Sequence, residues 1–384
     1  MTERVGIVAV AQTKYENSKL WQSDLELVYE VVEKVREETD LKFTDDGTGI
    51  ESTVQCSSDH FKGGVISNIE TQSAVGANGR PEEKVASDGA FAVYYAIMQI
   101  LSGKHDIVLV TANCKESGVS RNQVENFGLE PFFHRKVGLD YRSAAAMQAN
   151  AYMTRYGITP EQCAGVVVKN RKNAFNNPLA QEPMNIDVSE VMGSDMLAYP
   201  IRALEAKPIS DGACALILAR ESIARKITDR PVWIDGFGSC YDAHYLGDRD
   251  LADSVSLKKA AERAYKMAGI SRPRQEIDVV EVSEEYSYQE LLWAEGLGFC
   301  DPGDGGKLID SGVTASRGEL PINPSGGLLS GVPTIVAGMS RVCEAALQLR
   351  GEAGARQVTG AKCALAHGTA GPCGQVHSVM ILRT

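Results

Sequence analysis

The sequence contains no Cys-x-x-Cys pair, no run of basic residues and no long apolar segment, and each absence excludes a class of protein. The nine cysteines are scattered over 384 residues, so neither a zinc site nor a disulfide framework is expected in this chain. There are 39 basic and 50 acidic residues, which disfavours nucleic acid and anionic membranes as partners. No segment has the length of a membrane helix, and the first apolar run lacks the cleavage site of a signal peptide. We therefore expect a globular, cytoplasmic protein with reduced thiols whose partners are small molecules or proteins.

Short β-branched apolar runs alternate with amphipathic helical patterns along the chain. The runs include VGIVAVA, IVLVTA, CALILA, IDVVEVS and HSVMIL. This alternation predicts an α/β fold with buried, largely parallel strands.

The two halves of the sequence also share a faint pattern of turn, helix and strand. In the first half SDGA leads through ILSGKHD to IVLVTA, and in the second half NPSGGLLSG leads through QLRGEAG to AKCALAH. The repeat predicts two copies of one unit that meet near Asp229–Val232. The segment from Lys115 to Pro208 fits neither copy, so it is predicted to be an insertion covering one face, where substrate-binding loops usually lie.

A helix predicted over about residues 87–101 begins at a point suited to chemistry. Its first turn would direct N–H groups and the positive end of the dipole toward a nucleophile or an anion, yet the sequence there is Ala-Ser-Asp-Gly (86–89). Four further glycine- or serine-containing turns lie next to predicted strands or helices, and each alone is common structural punctuation. They lie in PISDGACALILA (208–219), VVEVSEEYSYQELLWAEGLGF (279–299), PINPSGGLLSGVPTIVAG (321–338) and LAHGTAGPCGQVHSVMIL (365–382).

In this order the five segments resemble the thiolase superfamily over essentially the whole chain, and most closely the sterol-carrier-type thiolases. The resemblance implies an α/β thiolase fold, in which duplicated βαβαβαββ units form a five-layer α/β/α/β/α arrangement with an inserted loop domain. It assigns residues 1–114 and 209–229 to the N-terminal half, 115–208 to the loop domain and 230–384 to the C-terminal half.

The resemblance also implies ligands and partners. Coenzyme A is expected as a substrate or product thioester, with chemistry at the carbon next to the thioester carbonyl and no metal in this chain. A homodimer is expected. The nearest relatives work with a small partner that carries a zinc ribbon and an OB-fold, so such a partner, or a second thiolase-like chain, is expected here.

The sequence departs from the family at the residues that carry its chemistry. Ala86 stands where the family has its nucleophilic Cys, and Val332 replaces the His that deprotonates that Cys. Ser283 replaces the His that helps to hold a water at the oxyanion hole. A nucleophile and its base are useless without each other, so their joint loss indicates coupled change. Asn323 and His367 persist and are assigned to the predicted catalytic set.

Three other polar side chains near the implied site are candidate catalytic groups. Asp88 is a carboxylate base if apolar surroundings raise its pKa, or it only stabilises the start of the helix. Tyr286, with Tyr288 beside it, offers a phenol to an enolate or alkoxide, or packs in the core. Cys373 lies in the loop where other thiolases keep an acid–base Cys, or it is a packed thiol.

The segment VVVKNRKNAFNNPLAQEP (166–183) resembles the family's CoA-binding loop region, although surface basicity explains its cations equally well. The predicted CoA-binding residues are Lys169, Arg171, Ser210, Gly326 and Gly327. His60 and His134 are predicted to border the cleft or the dimer contact in structural roles.

Two classes of function follow. The first is an enzyme that makes or breaks a C–C bond next to a CoA thioester without an acyl-Cys step. Retro-aldol cleavage of a β-hydroxyacyl-CoA fits the losses best, because it needs a base and an enolate-stabilising site but no nucleophile. A variant is unconventional thiolysis of a β-ketoacyl-CoA through Cys373 or direct attack by CoA. The second class is a non-catalytic thiolase-like subunit that scaffolds or regulates an active thiolase chain.

Overall fold

The computed structural model of the chain describes residues 3–44, 46 and 48–384. These residues form eleven strands: β1 (Val5–Gln12), β2 (Ser52–Cys56), β3 (Glu82–Val85), β4 (Ile107–Lys115), β5 (Met196–Ala198), β6 (Ile201–Arg202), β7 (Asp211–Arg220), β8 (Val232–Tyr241), β9 (Val279–Glu281), β10 (Cys363–Ala370) and β11 (Val376–Arg383). They also form thirteen α-helices: α1 (Asp24–Thr39), α2 (Asp59–Lys62), α3 (Gly89–Leu101), α4 (Arg121–Asn126), α5 (Tyr141–Tyr156), α6 (Pro160–Asn173), α7 (Val188–Gly193), α8 (Glu221–Ile227), α9 (Val255–Ala268), α10 (Pro273–Glu276), α11 (Ser287–Gly296), α12 (Gly305–Asp310) and α13 (Ala337–Arg350).

Nine of these strands form one sheet, in the order β3-β2-β4-β7-β1-β8-β11-β10-β9. The two halves of the sheet are joined between β1 and β8 through only two residue pairs, Gly6 with Trp233 and Ile7 with Val232. Helices α3 and α13 contact each other and lie between the two half-sheets, while α1 and α8 pack outside the first half and α9 outside the second. The layers are therefore helix, sheet, helix, sheet and helix, as the sequence predicts.

The prediction of largely parallel strands is wrong. Among the described strands of the large sheet, only β2–β3, β2–β4 and β9–β10 pair in parallel. The other five pairings are antiparallel. In each half of the chain, the last strands run opposite to the strands that they pair with. Buried antiparallel strands carry the same continuous apolar runs as buried parallel strands, so these runs do not reveal strand direction.

Helix α3 is nearly where the sequence predicts it, but it begins at Gly89 rather than near Ser87. Asp88 has an extended backbone and its carboxylate accepts the Ala90 N–H, so it is the N-cap. The helix is apolar over most of its surface because it is buried between the two half-sheets.

The segment between β4 and β7 contains helices α4 to α7 and the β5–β6 hairpin. Helix α6 packs against α11 and α12 of the second half, and its apolar residues share one buried cluster with Trp293. The domain boundaries drawn from the resemblance stay a prediction. Among the described residues, no helix combines the length and apolar character needed to span a membrane.

Candidate active site

A cavity of about 280 Å³ lies at the N-terminal end of α3. Ala86 and Ser87, which connect β3 to the N-cap of α3, form part of its wall. Apolar side chains such as Phe61 and Ile335 line another part. The polar groups in the wall come from distant segments and include Tyr141, Glu285, Gln289 and Thr334. No cysteine is among the described residues that line this cavity.

Tyr141 and Glu285 form a hydrogen-bonded pair in this cavity. The Tyr141 hydroxyl lies 3.0 Å from Glu285 Oε2 and 3.1 Å from the Gly371 carbonyl oxygen. Burial raises the pKa of the Tyr141 phenol well above its usual value, and the Glu285 carboxylate raises it further. The phenol therefore stays protonated and donates its hydrogen bond.

Local structure positions both members of the pair. Tyr141 is the first residue of α5, whose N-cap Asp140 accepts the Ser143 N–H. The backbone N–H of Glu285 donates to Gln289 Oε1 at 2.8 Å, which fixes the turn that begins α11. The phenol and the carboxylate thus meet in a set geometry although they are 144 residues apart in sequence.

A charged network extends from Glu285. Arg121 Nε lies 2.6 Å from Glu125 Oε1, and Arg121 Nη2 lies 3.6 Å from Glu285 Oε1. Burial raises the pKa of Glu125, and although Arg121 opposes that change the pKa reaches about 7. Lys207 Nζ binds Glu116 Oε1 at 2.9 Å. Burial alone would raise the pKa of Glu116, but Lys207 and Arg121 outweigh burial and lower it to about 2.

Glu125 and Glu285 also line a second cavity of about 430 Å³. This second cavity is rich in cations, which are Arg121, Arg142, Arg171 and Lys207. Glu182 lines it as well, so four cations and three carboxyl groups face this cavity, a lining that suits a strongly polar ligand. The carboxyl groups of Glu125 and Glu285 stand between it and the cavity at Ala86.

The structure places Asp88 behind the wall of the first cavity. Its side chain is 1% exposed, and its two carboxylate oxygens accept the backbone N–H groups of Ala90 and Gly338. Burial raises the pKa of Asp88 to about 7 even though these hydrogen bonds lower it. The geometry is that of a buried helix cap joining α3 to α13.

The Asn323–Gly327 turn is filled by a neighbouring carboxyl. Asn323 Nδ2 donates to Glu284 Oε2 at 2.9 Å, and Asn323 Oδ1 accepts the Val282 N–H. Gly327 has a φ of +64°, and a Cβ at this position would collide with Glu284 Oε1. Gly326 also has a positive φ, and the turn is fully buried. None of these residues is among those that line the two cavities.

His367 pairs with a histidine that the sequence reading did not single out. His367 Nε2 lies 2.9 Å from His377 Nδ1, and both side chains are fully buried beside Trp293. The Ser283 N–H points at His367 Nδ1, at 3.3 Å, so His367 carries its proton on Nε2 and donates to His377. Burial lowers the pKa of His367 to about 3, so the ring is neutral.

Cys373 has a positive φ and packs in a small apolar cluster with Leu129, Ala144 and Leu246. Burial raises the pKa of its thiol to about 12. This environment matches the packed-thiol alternative of the sequence analysis.

Tyr286 is buried and lines the second cavity, whereas the Tyr288 hydroxyl donates to Gln148 Oε1 at 2.9 Å in the core. His60 lines the first cavity, with its ring 5.1 Å from that of Phe127. His134 stacks on Tyr245 instead.

The predicted CoA-binding residues are not all brought together. Arg171 lines the second cavity and binds Glu182 at 2.7 Å. Lys169 lines a different cavity and binds Glu290 at 2.6 Å. The Ser210 N–H donates to Glu116 Oε2 at 3.0 Å, which places this residue beside Lys207.

Sequence reasoning missed several polar groups that meet at the two cavities. Glu285 lies in the quoted segment 279–299, and its acidic side chain beside another acidic residue was the available signal. Tyr141, Arg121 and Glu125 lie in the inserted segment, where no local pattern distinguishes them. Among the described residues there is no cluster of His, Cys, Asp and Glu that could hold a metal ion.

Comparison with known proteins assigns the family. Residues 238–384 match the family described as Thiolase C-terminal domain-like. The acetyl-CoA acetyltransferase of Methanothermobacter thermautotrophicus is 39% identical over 295 residues, covering 76% of each chain. The chain belongs to the thiolase superfamily. Sterol carrier protein 2 of Bos taurus is 37% identical to this thiolase-like chain over 223 residues, covering 56% of this chain and 41% of that protein.

Among solved structures, the Ltp2-ChsH2(DUF35) aldolase matches with a TM-score of 0.84 and 23% identity, covering 99% of this chain and 98% of that one. The thiolase fold predicted from the sequence is therefore confirmed, as is the likeness to sterol-carrier-type thiolases. Thiolases act on CoA thioesters, and the similar proteins include both an acetyltransferase and an aldolase.

Proposed function

We propose that this chain cleaves or forms the Cα–Cβ bond of a β-hydroxyacyl-CoA by aldol chemistry, without an acyl-cysteine intermediate. The observation that carries the proposal is the Tyr141–Glu285 pair, 3.0 Å apart, in a cavity that Ala86 lines. An aldol cleavage needs a base and a hydrogen-bond donor, and this pair supplies both. The name of the Ltp2-ChsH2(DUF35) aldolase adds support from a protein of the same fold.

In the proposed reaction Glu285 accepts the proton of the β-hydroxyl group. The electron pair of the Cα–Cβ bond moves into the thioester as that bond breaks, which releases an aldehyde or ketone and leaves a thioester enolate. Tyr141 donates a hydrogen bond at the reacting oxygen, and the positive end of the α3 dipole favours the enolate charge. Protonation of Cα then gives the shortened acyl-CoA, with no net gain or loss of protons.

CoA would enter through the second cavity, which is lined by Arg142 and by the ion-paired Arg121, Arg171 and Lys207. The carboxyl groups of Glu125 and Glu285 would then lie where the thioester passes into the first cavity. This route retains Arg171 from the predicted CoA-binding set. It leaves the proposed roles of Lys169, Ser210 and the Gly326-Gly327 turn to binding measurements.

We also propose a cytoplasmic homodimer that works with a small second protein. Strand β3 is an edge of the nine-stranded sheet, so one side of its backbone is open to pairing with a second copy. Light scattering at micromolar concentration should show a dimer, and a monodisperse monomer would contradict this part of the proposal. The name Ltp2-ChsH2 joins two proteins, which supports a search for a copurifying partner.

The function is tested with Glu285→Gln and Tyr141→Phe, assayed on β-hydroxyacyl-CoA thioesters together with any copurifying protein. Loss of a general acid or base lowers rates by roughly 10²–10⁴, and we expect each variant to fall in that range with CoA affinity nearly unchanged. Glu319→Gln removes an exposed carboxylate that pairs with Arg274, so it is the matched control. If both site variants keep the wild-type rate, the site is misassigned. If no CoA ester is turned over by any preparation, the non-catalytic subunit takes the place of the enzyme.

A further inference from the structure

We propose that Glu125 is a second acid–base group of the site, which delivers the proton to Cα of the enolate after Glu285 has taken the proton of the β-hydroxyl group. This inference rests on the proposed function. It divides two proton transfers between two carboxyl groups, and it assigns a catalytic role to a residue of the inserted segment.

Arg121 is a buried cation surrounded by carboxyl groups. Its guanidinium group lies 2.6 Å from Glu125, 3.6 Å from Glu285 and 3.9 Å from Glu116, so one cation is shared among three carboxyl groups. Glu116 also binds Lys207 at 2.9 Å, which leaves Glu125 and Glu285 to depend on Arg121. Two carboxylates beside one cation repel each other, and the pair is relieved when one of them holds a proton.

Glu125 is the carboxyl group that holds this proton. Glu125 makes its ion pair on the short helix α4, where its side chain is only 8% exposed. Burial raises the pKa of Glu125 to about 7, and the negative charge of Glu285 contributes to the increase. Near neutral pH, therefore, both the acid and the carboxylate form of Glu125 are available for proton transfer.

His60 of α2 lines the first cavity together with Glu125, and Arg171 and Glu182 line the second. Further charged or titratable groups face Glu125. These groups are Arg121 on α4, Glu116 after β4, Lys207 before β7, Glu285 and Tyr286 before α11, and Tyr141 and Arg142 at the start of α5.

Glu125 and Glu285 lie at the boundary between the two cavities. Glu125 and Glu285 both line the cavity at Ala86 and the cation-rich cavity, so both can reach a thioester that passes between them. In the cleavage direction Glu285 gains the proton that leaves the hydroxyl oxygen, and Glu125 loses one proton to Cα. Exchange with solvent resets the two groups, and the overall reaction consumes no proton.

The division of roles predicts a partial reaction that separates the two carboxyl groups. An acyl-CoA product incubated in D₂O without any aldehyde or ketone should exchange its Cα hydrogen for deuterium, because Glu125 as a carboxylate can remove that proton. This exchange needs no hydroxyl group, so it does not need Glu285. Mass spectrometry of acetyl-CoA or propionyl-CoA gives the exchange rate.

We expect Glu125→Gln to lower both the exchange and the cleavage of a β-hydroxyacyl-CoA by roughly 10²–10⁴. Glu285→Gln should lower the cleavage to the same extent and leave the exchange within about threefold of wild type. The exchange should also rise as the pH passes through about 7, where Glu125 becomes a carboxylate, whereas the cleavage should fall over the same range. Glu319→Gln again controls for the loss of a carboxylate.

Two results would overturn the inference while the proposed function stands. One is cleavage by wild type together with unimpaired exchange and cleavage in Glu125→Gln. The other is equal loss of both reactions in the two variants, which would indicate a single acid–base unit. Absence of cleavage in every preparation would instead refute the proposed function, and the inference with it. If Glu125→Gln does not fold, Glu125→Asp, which keeps a carboxyl group, takes its place. An exchange–pH profile of Glu125→Asp identical to that of wild type would also overturn the inference.

Discussion

Acidification from pH 7 to pH 5 should destabilise this protein through the His367–His377 pair. Both imidazoles are fully buried, and burial is the main reason that their pKa values lie below the ordinary value, at about 3 for His367 and well below that ordinary value for His377. In the unfolded chain each imidazole has a pKa of about 6.5. Between these values the unfolded state binds more protons than the folded state, so the stability contribution is present above about pH 6.5 and is lost as the pH falls.

The magnitude follows from the two pKa values. With a pKa of about 6.5 unfolded and about 3 folded, one imidazole lowers the free energy of unfolding by about 1.9 kcal/mol between pH 7 and pH 5. A loss of this size from one ring is already a large part of the stability of an ordinary domain, and His377 adds to it because burial lowers its pKa as well. Buried carboxyl groups with raised pKa values change stability in the opposite direction, so the pair must be isolated by substitution.

The assay is urea unfolding followed by circular dichroism at pH 5, 6 and 7, at one protein concentration. His377→Gln removes one titrating ring, and the loss of unfolding free energy between pH 7 and pH 5 should be smaller than in wild type. His244 lies at the surface, so His244→Gln is the matched control. An unchanged pH dependence in His377→Gln would refute the neutral, buried state of this pair.

Three other predictions concern the site and its surroundings. Gly327→Ala should lower the free energy of unfolding by about 3 kcal/mol, because a positive φ and a collision with Glu284 combine there. Gly354 has a similar φ of +60° but open space around it, so Gly354→Ala should lower it by about 1 kcal/mol. Thermal melts of both variants test this difference. Ala86→Cys should not create thiolase activity, because Val332 supplies no base, and a thiolytic rate in that variant would contradict the account. Cys373→Ala should leave the cleavage rate within about twofold of wild type, since its thiol is packed and its pKa is about 12; a collapse of activity would favour thiolysis through this residue.

The sequence predicts the architecture better than the strand directions. The sequence predicts the start of α3 to within two residues, because its apolar residues and the Asp88 cap act locally. The direction of β7 and β11 depends on which strands they pair with in the sheet, and apolar runs carry no information on that pairing. The resemblance supplied the layers, since it concerns the whole chain at once.

The site illustrates the same distinction between local and long-range information. Asp88, Asn323 and His367 follow motifs that are readable along the chain, but the structure shows each of them as a buried, hydrogen-bonded group that does not line the two cavities. Tyr141 and Glu285 meet only after the inserted segment folds over the start of α11. A contact across 144 residues leaves no periodic or spacing signal in a single sequence.

The central claim is that C–C bond cleavage proceeds without attack by a thiol, and the requirement for free CoA tests it most directly. The protein, with any copurifying partner, is incubated with a β-hydroxyacyl-CoA and separately with the corresponding β-ketoacyl-CoA, each with and without added CoA. We predict that the β-hydroxyacyl-CoA gives one shortened acyl-CoA and one aldehyde or ketone in equal amounts, at a rate independent of free CoA. Turnover of only the β-ketoacyl-CoA, with consumption of one free CoA per cleavage, would contradict the account.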